Sequence, residues 1–325
     1  MTNGRIPLRP GITDTFKEIN WNKYIVYIAF VGVFLFFAIL LQDRGFLRMS
    51  NILNITRQTA MISIMAIAMT FVIATGQIDL SIGSVTAISS LITALVLNST
   101  QSILLSVLVG LGMGFFIGAI SGVIITRLNI PSFLVTLGMM SIAKGFAMWI
   151  TNTASVPILN DRFNFIFGTG DIFGFPILFV WTIVFAIIGH YALTYTPYGK
   201  KVLATGGNEQ AAKYTGVNTK NIKFLVLSIS GMAAGLAGIL YAGRMQAGRY
   251  TYGEGDELSV IAAVIIGGTA MTGGKGSVIG AIVGSMLMGV INNGLIIAGL
   301  SVSQQMIIRG FIIILAVAVG SKQKK

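Results

Sequence analysis

Three charged side chains stand inside or between otherwise apolar stretches of this 325-residue sequence, and they are the first candidates for chemistry. Asp79 lies between two apolar runs, and Lys144 and Arg309 each lie near the end of such a run. A charge at the centre of a membrane span costs about 2.5–3.5 kcal/mol on insertion scales, so such residues are usually functional or reach the surface. For Lys144 and Arg309 the alternatives are snorkelling to the lipid headgroups and lining a polar pathway.

Asp79 is followed by short hydroxyl side chains in G76-QIDLSIGS-84. A carboxylate at a helix start accepts backbone amide hydrogens, and glycine beside Ser81 and Ser84 permits a tight turn. We therefore expect these three residues to cap the next helix or form a re-entrant turn. A proton or ion relay is the alternative, but it usually needs further buried acids. Elsewhere, Asn292 and Asn293 are suited to bind a sugar hydroxyl, to bridge two helices or to end one.

Few residue types for covalent or metal chemistry are present. The chain has no cysteine and one histidine, which excludes disulfides and argues against a zinc site or a catalytic triad. The stretch G267-GTAMTGGKGS-277 departs from a phosphate-binding loop, because Thr269 replaces the first glycine and Gly276 follows Lys275 where a hydroxyl is required. We predict no catalytic residue, no metal site and no cofactor in this chain, and we expect a tight cytoplasmic turn here.

The elements that position these residues are apolar helices. Hydrophobic residues make up 54% of the chain and charged residues 10%, against about 25% charged in soluble domains. Apolar runs of this kind are long enough to cross about 30 Å of hydrocarbon, although the eighth is too short unless it is re-entrant or extended. The sequence predicts an all-α polytopic membrane protein with about ten transmembrane helices, at 24–41, 58–75, 82–97, 103–126, 131–150, 176–193, 223–243, 258–271, 277–298 and 303–319.

The basic residues orient these helices. Cytoplasmic loops carry the excess of lysine and arginine, and most of the 22 basic residues fall inside if both termini are cytoplasmic. The expected parts are a cytoplasmic tail at 1–23, a permease domain at 24–319 with a cytoplasmic loop at 194–222, and a second cytoplasmic tail at 320–325. The loop 42–57 fits least well, because it places Arg44, Arg48 and Arg57 outside, and we interpret it as an interfacial segment.

The two halves of the chain show weak sequence similarity to each other. I78-DLSIGSV-85, G118-AISG-122 and K144-GF-146 are matched in order by D256-ELSVIA-262, G280-AIVG-284 and R309-GF-311. The acidic passages fall on opposite sides of the membrane in this topology, as inverted repeats would place them. Such repeats favour a transporter.

The stretch A204-TGGNEQAAKYTGVN-218 is polar and basic in the middle of this apolar chain. Asn208 is a good N-cap, Glu209 complements the helix dipole, and Gly216 is suited to end the helix. The predicted helix, 209–215, is too short to be stable alone in water. It therefore requires support, either from the membrane domain or from the groove of a cytoplasmic partner.

Four blocks in order carry a family resemblance: A74-TGQIDLSIGS-84, Y198-GKKVLATGGNEQAAKYTGVN-218, E257-LSVIAAVIIGGTAMTGGKGS-277 and N292-NGLIIAGLS-301. From about residue 51 onwards the chain resembles the permease subunits of bacterial ABC importers for ribose and related monosaccharides. The resemblance implies a second permease subunit, expected to be identical, two cytoplasmic ATPases that hold ATP and magnesium, and an external sugar-binding protein. It also implies that the helix after the sixth span docks on the ATPase, through Gly206, Gly207, Asn208, Glu209, Gln210, Ala211, Ala212, Lys213 and Gly216.

The expected function is therefore ATP-driven import of a monosaccharide, with ribose favoured, across the bacterial inner membrane by alternating access. The pathway candidates are Lys144, Asn292, Asn293 and Arg309. Other pentoses or hexoses, a furanone-type signalling sugar and branched-chain amino acids are alternative substrates. An ion-coupled secondary transporter that depends on Asp79 is a rival class, and an intramembrane enzyme is disfavoured because no nucleophile and base pair lies in the spans.

Overall fold

The computed structural model describes residues 25–322, and most of these residues are helical. The N-terminal tail predicted at 1–23 and the last residues of the C-terminal tail, 323–325, lie outside the described residues. The helices are α1 (Ile25–Leu40), α2 (Met49–Ala74), α3 (Ile82–Thr100), α4 (Ile103–Leu128), α5 (Ser132–Thr151), α6 (Asp161–Asn164), α7 (Ile177–Tyr195), α8 (Pro197–Gly207), α9 (Glu209–Tyr214), α10 (Thr219–Met245), α11 (Asp256–Ile266), α12 (Val278–Ile297) and α13 (Val302–Lys322).

Seven of the described helices are long and apolar enough to cross a membrane: α2, α3, α4, α5, α7, α10 and α12. Shorter apolar helices occur at Val26–Leu40 and Val302–Leu315. The all-helical prediction is confirmed for the bulk of the described chain. Four two-residue strands add small antiparallel pairs, in which β1 (Val156–Pro157) joins β4 (Ala247–Gly248) and β2 (Asp171–Ile172) joins β3 (Phe175–Pro176).

The loop predicted at 42–57 is wrong from residue 49 onwards, because α2 begins at Met49. The polar residues that suggested a loop find partners on other elements. Asn51 and Asn293 exchange side-chain hydrogen bonds at 3.0 Å, and Arg57 pairs with Asp171 at 2.8 Å. Satisfied polar groups allow the helix to continue, whereas unpaired groups would favour a solvated loop.

The bundle has two ends, which can be defined by contacts among loops. At the lower end, the amide of Gly274 donates to the carbonyl of Ala74 at 2.9 Å, and Gly206 lies against both residues. At the upper end, Arg57 bonds Asp171, and Arg244 donates to the carbonyl of Arg57. The turn predicted at 267–277 is confirmed, with positive φ angles at Gly268, Gly273 and Gly274.

Helices α3 and α11 both begin inside the bundle. Gly248 packs on Ser90 and Leu91 of α3, but Gly253 packs on Gly83, which lies about 10 Å farther along the α3 axis. The chain after α10 therefore turns back from the upper end before α11 starts. This re-entrant segment explains why the eighth apolar run is short, since α11 has 11 residues and spans only about 16 Å.

Candidate functional site

The polar segment between α7 and α10 forms two consecutive helices. Thr196 caps α8, because its hydroxyl accepts from the Gly199 amide at 3.1 Å, and Pro197 occupies the first helical position. Asn208 then ends α8 and caps α9, accepting from the Ala211 amide at 3.0 Å. The predicted cap and short helix are confirmed, and Gly216, with a φ of 82°, follows its end. The preceding helix α8 was not predicted.

Glu209 fastens α9 to the start of α10. Its carboxylate pairs with Lys223 at 2.7 Å and with Lys213 at 3.0 Å, and it accepts from the Thr219 hydroxyl at 3.1 Å. Partial burial raises the pKa of Glu209, but the hydrogen bonds from the two lysines outweigh it and lower the pKa to about 2. The membrane domain itself therefore supplies the support that so short a helix needs.

The end of α8 is seated on the lower end of the bundle through backbone contact. A side chain at Gly206 would collide with the carbonyl of Ala74 and the amide of Gly274, so only glycine allows this approach. A side chain at the neighbouring Gly207 would meet its nearest atom, Cα of Gly274, at an ordinary 3.7 Å. A displacement of α8 would therefore act directly on α2 and on the 267–277 turn.

α9 leaves an aromatic side chain in solvent. Tyr214, its last residue, is 91% exposed, whereas Ala212 is 4% exposed and faces the protein. Aromatic residues that project from a surface are common anchors of protein interfaces. Beside it, Lys213, Lys220 and Lys223 line a groove of about 370 Å³ together with Glu209. Sequence reasoning missed Tyr214, although a tyrosine in an otherwise small and polar helix was a usable signal.

Asp79 lies in the chain that leads into α3 and is buried. Its carboxylate accepts from the amide and the hydroxyl of Ser81 at 3.0 and 2.6 Å, and from the Ser230 hydroxyl of α10 at 2.9 Å. The predicted cap is wrong, because the amide that Asp79 binds belongs to Ser81, which precedes α3, and α3 begins without a side-chain cap. The predicted turn is present instead, since the carboxylate closes it and joins it to α10. Ser84 lies within the first turn of α3 and is buried.

The four pathway candidates fall into three separate contacts. Lys144 of α5 donates to Glu254 at 2.7 Å. Arg309 of α13 donates to the side chain of Asn292 at 3.3 Å. Asn293 is 3% exposed and bridges α12 to α2 through Asn51.

Lys144 is the pathway candidate that forms an ion pair, with a carboxylate 110 residues away. Glu254 lies in the re-entrant segment before α11, with Tyr252 nearby, and sequence reasoning assigned neither of them a role. The acidic cluster at 254–257 in an external loop was the available signal.

Comparisons with known proteins identify relatives over most of the chain. The family model described as "Branched-chain amino acid transport system / permease component" matches residues 51–317. The ribose import permease protein RbsC of Escherichia coli (strain K12) is 38% identical over 285 residues, which cover 86% of this chain and 88% of the relative. RbsC of Bacillus subtilis (strain 168) is 34% identical over 310 residues, covering 94% and 96%.

A third relative, the L-arabinose ABC transporter permease protein AraH of Azospirillum brasilense, is 34% identical and covers 89% of this chain and 85% of its own length. No solved structure gave a significant match. The relatives are transport components and not enzymes, and the chain's apolar helices agree with a multi-pass membrane protein. This chain belongs to the branched-chain amino acid transport system permease family, and its similarity to sugar import permeases places it among the transport subunits of that family.

Proposed function

We propose that this chain is the transmembrane subunit of an ATP-driven importer that carries a monosaccharide, with ribose favoured, into the cytoplasm by alternating access. The observation that carries the proposal is the α8–α9 segment, which is capped, fastened by Glu209 and seated on the lower end of the bundle, with Tyr214 left in solvent. A cytoplasmic partner that displaces this segment also displaces α2, because Gly206 contacts Ala74. The ribose and arabinose names of the relatives support a sugar.

The proposal includes partners and a topology. Two copies of this permease would assemble with two cytoplasmic ATPases, which hold the ATP and magnesium, and receive sugar from an external binding protein. The lower end would face the cytoplasm of a bacterial inner membrane, with about ten spans, both termini inside, and the two halves related as inverted repeats. The facing starts of α3 and α11 support the repeats, since each helix begins inside the bundle from opposite ends.

The direct test is ribose uptake into proteoliposomes that contain the permease, its ATPase and its binding protein. We expect uptake with ATP inside and none without it. Uptake by the permease alone in a proton or sodium gradient, lost in Asp79→Asn, would contradict the proposal and favour an ion-coupled transporter. The observation that favours this second candidate function is that Asp79 is buried and accepts a hydrogen bond from Ser230.

The coupling role of α9 has its own test. Glu209→Lys replaces both ion pairs with repulsion, and Ala211→Pro removes the amide that Asn208 caps. Tyr214→Ala removes only an exposed ring, with Tyr191→Ala, on the exposed face of α7, as the control. We expect the first three variants to insert normally but to lose sugar-stimulated ATPase activity, and Tyr191→Ala to retain it. Full stimulation in Tyr214→Ala and Glu209→Lys would refute the docking assignment.

A further inference from the structure

A polar cavity of about 150 Å³ lies where α5 meets the beginnings of α3 and α11. The first turn of α3 contributes Gly83 and Ser84, α5 contributes Ser141 and Lys144, and the re-entrant segment closes the remaining side. The backbone of Gly253 and the carboxylate of Glu257 lie directly against Gly83, where no side chain would fit. The cavity is therefore built where the beginnings of α3 and α11 meet, and it opens to the surface of the bundle beside the exposed Ser141 and Glu254.

The size of the cavity restricts what it can hold. The cavity has a volume of about 150 Å³. Pockets for drug-sized ligands are typically about 300–1,000 Å³. A single small solute is the largest occupant it accepts in this conformation.

The chemistry of the walls matches a polyhydroxylated solute. Tyr250 and Tyr252 supply aromatic faces and hydroxyls, and Tyr252 is held in place by stacking on Tyr241 at a ring distance of 5.4 Å. Each sugar hydroxyl both donates and accepts a hydrogen bond, and carboxylates, serine hydroxyls and the lysine ammonium offer the complementary groups. The apolar C–H face of a sugar ring can pack on an aromatic face.

The charges of the cavity add selectivity. Lys144 and two acids, Glu254 and Glu257, line the cavity, so the formal charge of these three groups is negative. A negative site repels phosphorylated sugars and leaves neutral ones unaffected. The Lys144–Glu254 contact joins α5 to the re-entrant segment, with side-chain exposures of 37% and 60%, and can open without unfolding either element.

On these observations we propose that the cavity between α3, α5 and the 250–257 segment is a transit site for a neutral monosaccharide, and that the Lys144–Glu254 ion pair closes it. The inference rests on the proposed function and names where the sugar passes. Asn292, Asn293 and Arg309, which lie in other contacts, are not needed for this site.

The test uses thiol labelling of this chain, because it has no cysteine and a single introduced cysteine is therefore its only thiol. Ser141→Cys places a thiol on the cavity wall, and the control Ser99→Cys places one at the exposed upper end of α3. The permease is assembled with its ATPase and binding protein in proteoliposomes and treated with a water-soluble methanethiosulfonate reagent. We expect D-ribose to slow labelling of Ser141→Cys at least threefold and to leave Ser99→Cys unchanged.

Different outcomes of this experiment test the transit site and the proposed function separately. Ribose uptake with equal labelling of Ser141→Cys in the presence and absence of ribose would overturn the transit site and leave the proposed function intact. Uptake of leucine and protection by leucine, without either effect of ribose, would overturn the monosaccharide in both proposals. Ser84→Cys, on the opposite wall, is the second reporter if Ser141→Cys does not assemble, and equal labelling there would overturn the site as well.

Discussion

Two lysine–glutamate contacts of the same length, 2.7 Å, serve two different regions of the molecule. Glu209 and Lys223 are 14 residues apart, and the carboxylate has further partners in Lys213 and Thr219. Lys144 and Glu254 are 110 residues apart, and both are more exposed. The first contact belongs to a network that joins α9, which directly follows α8, to the start of α10. The second is a more exposed ion pair between α5 and the 250–257 segment.

The largest effect is expected where Gly206, near the end of α8, lies against the bundle. Gly206→Ala introduces a Cβ that collides with the carbonyl of Ala74 and the amide of Gly274. Overpacking of this kind costs about 1–3 kcal/mol, so we expect a lower thermal unfolding midpoint and about tenfold or greater loss of uptake. Gly207→Ala is the matched control, since its Cβ would have 3.7 Å of clearance. Equal effects in the two variants would contradict the seating of α8.

The network around Glu209 can be divided between its two lysines. Lys223→Met removes the shorter and less exposed partner, with 16% of its side chain accessible, and we expect a loss of up to about 1 kcal/mol in unfolding free energy. Lys213→Met removes an i,i+4 pair that is 51% exposed and should cost about 0.3–0.5 kcal/mol. A double-mutant cycle with Glu209→Gln measures each term. A larger coupling energy between Glu209 and Lys213 than between Glu209 and Lys223 would contradict this ranking of the two pairs.

The Lys144–Glu254 contact should affect transport more than stability. Lys144→Met removes one exposed ion pair, which contributes only about 0.2–1 kcal/mol to the free energy of unfolding, and we expect slower uptake because the cavity loses this link. The unfolding midpoint should stay near that of the unmodified chain. The charge swap Lys144→Glu with Glu254→Lys should restore uptake if the pair itself matters. Normal uptake in Lys144→Met would leave snorkelling as the role of this lysine.

The Glu209 network also makes the stability of the protein depend on pH. The pKa of Glu209 falls from an ordinary 4.5 to about 2 on folding. Its stabilisation is therefore fully present above about pH 5 and is lost as the pH falls from about 4.5 to about 2. Thermal unfolding of the unmodified chain and Glu209→Gln, followed from pH 7 downwards, should converge in that window. A constant difference down to pH 2 would show that the carboxylate charge is not the cause.

The features that could be predicted are those that depend on only a few neighbouring residues. The apolar runs gave the long helices, and Asn208 followed by Glu209 gave the start of α9, because caps and spans depend on local hydrogen bonds and hydrophobicity. The start of α2 was misplaced, since Asn51 and Arg57 look like loop residues until their partners Asn293 and Asp171 are known. The cavity between α3, α5 and the 250–257 segment was missed for the same reason, because its walls come from three separate parts of the chain.

The sequence by itself therefore determined that this is a helical membrane protein with a capped polar helix between two spans, and four ordered motifs indicated its family. Only the tertiary structure decided that Glu209 is held by Lys223, that Gly206 seats α8 on Ala74, and that Lys144 meets Glu254. The physical reason is the range of the interactions. Hydrophobic transfer and capping are properties of short segments, whereas ion pairs and backbone contacts between distant elements exist only after those segments pack together.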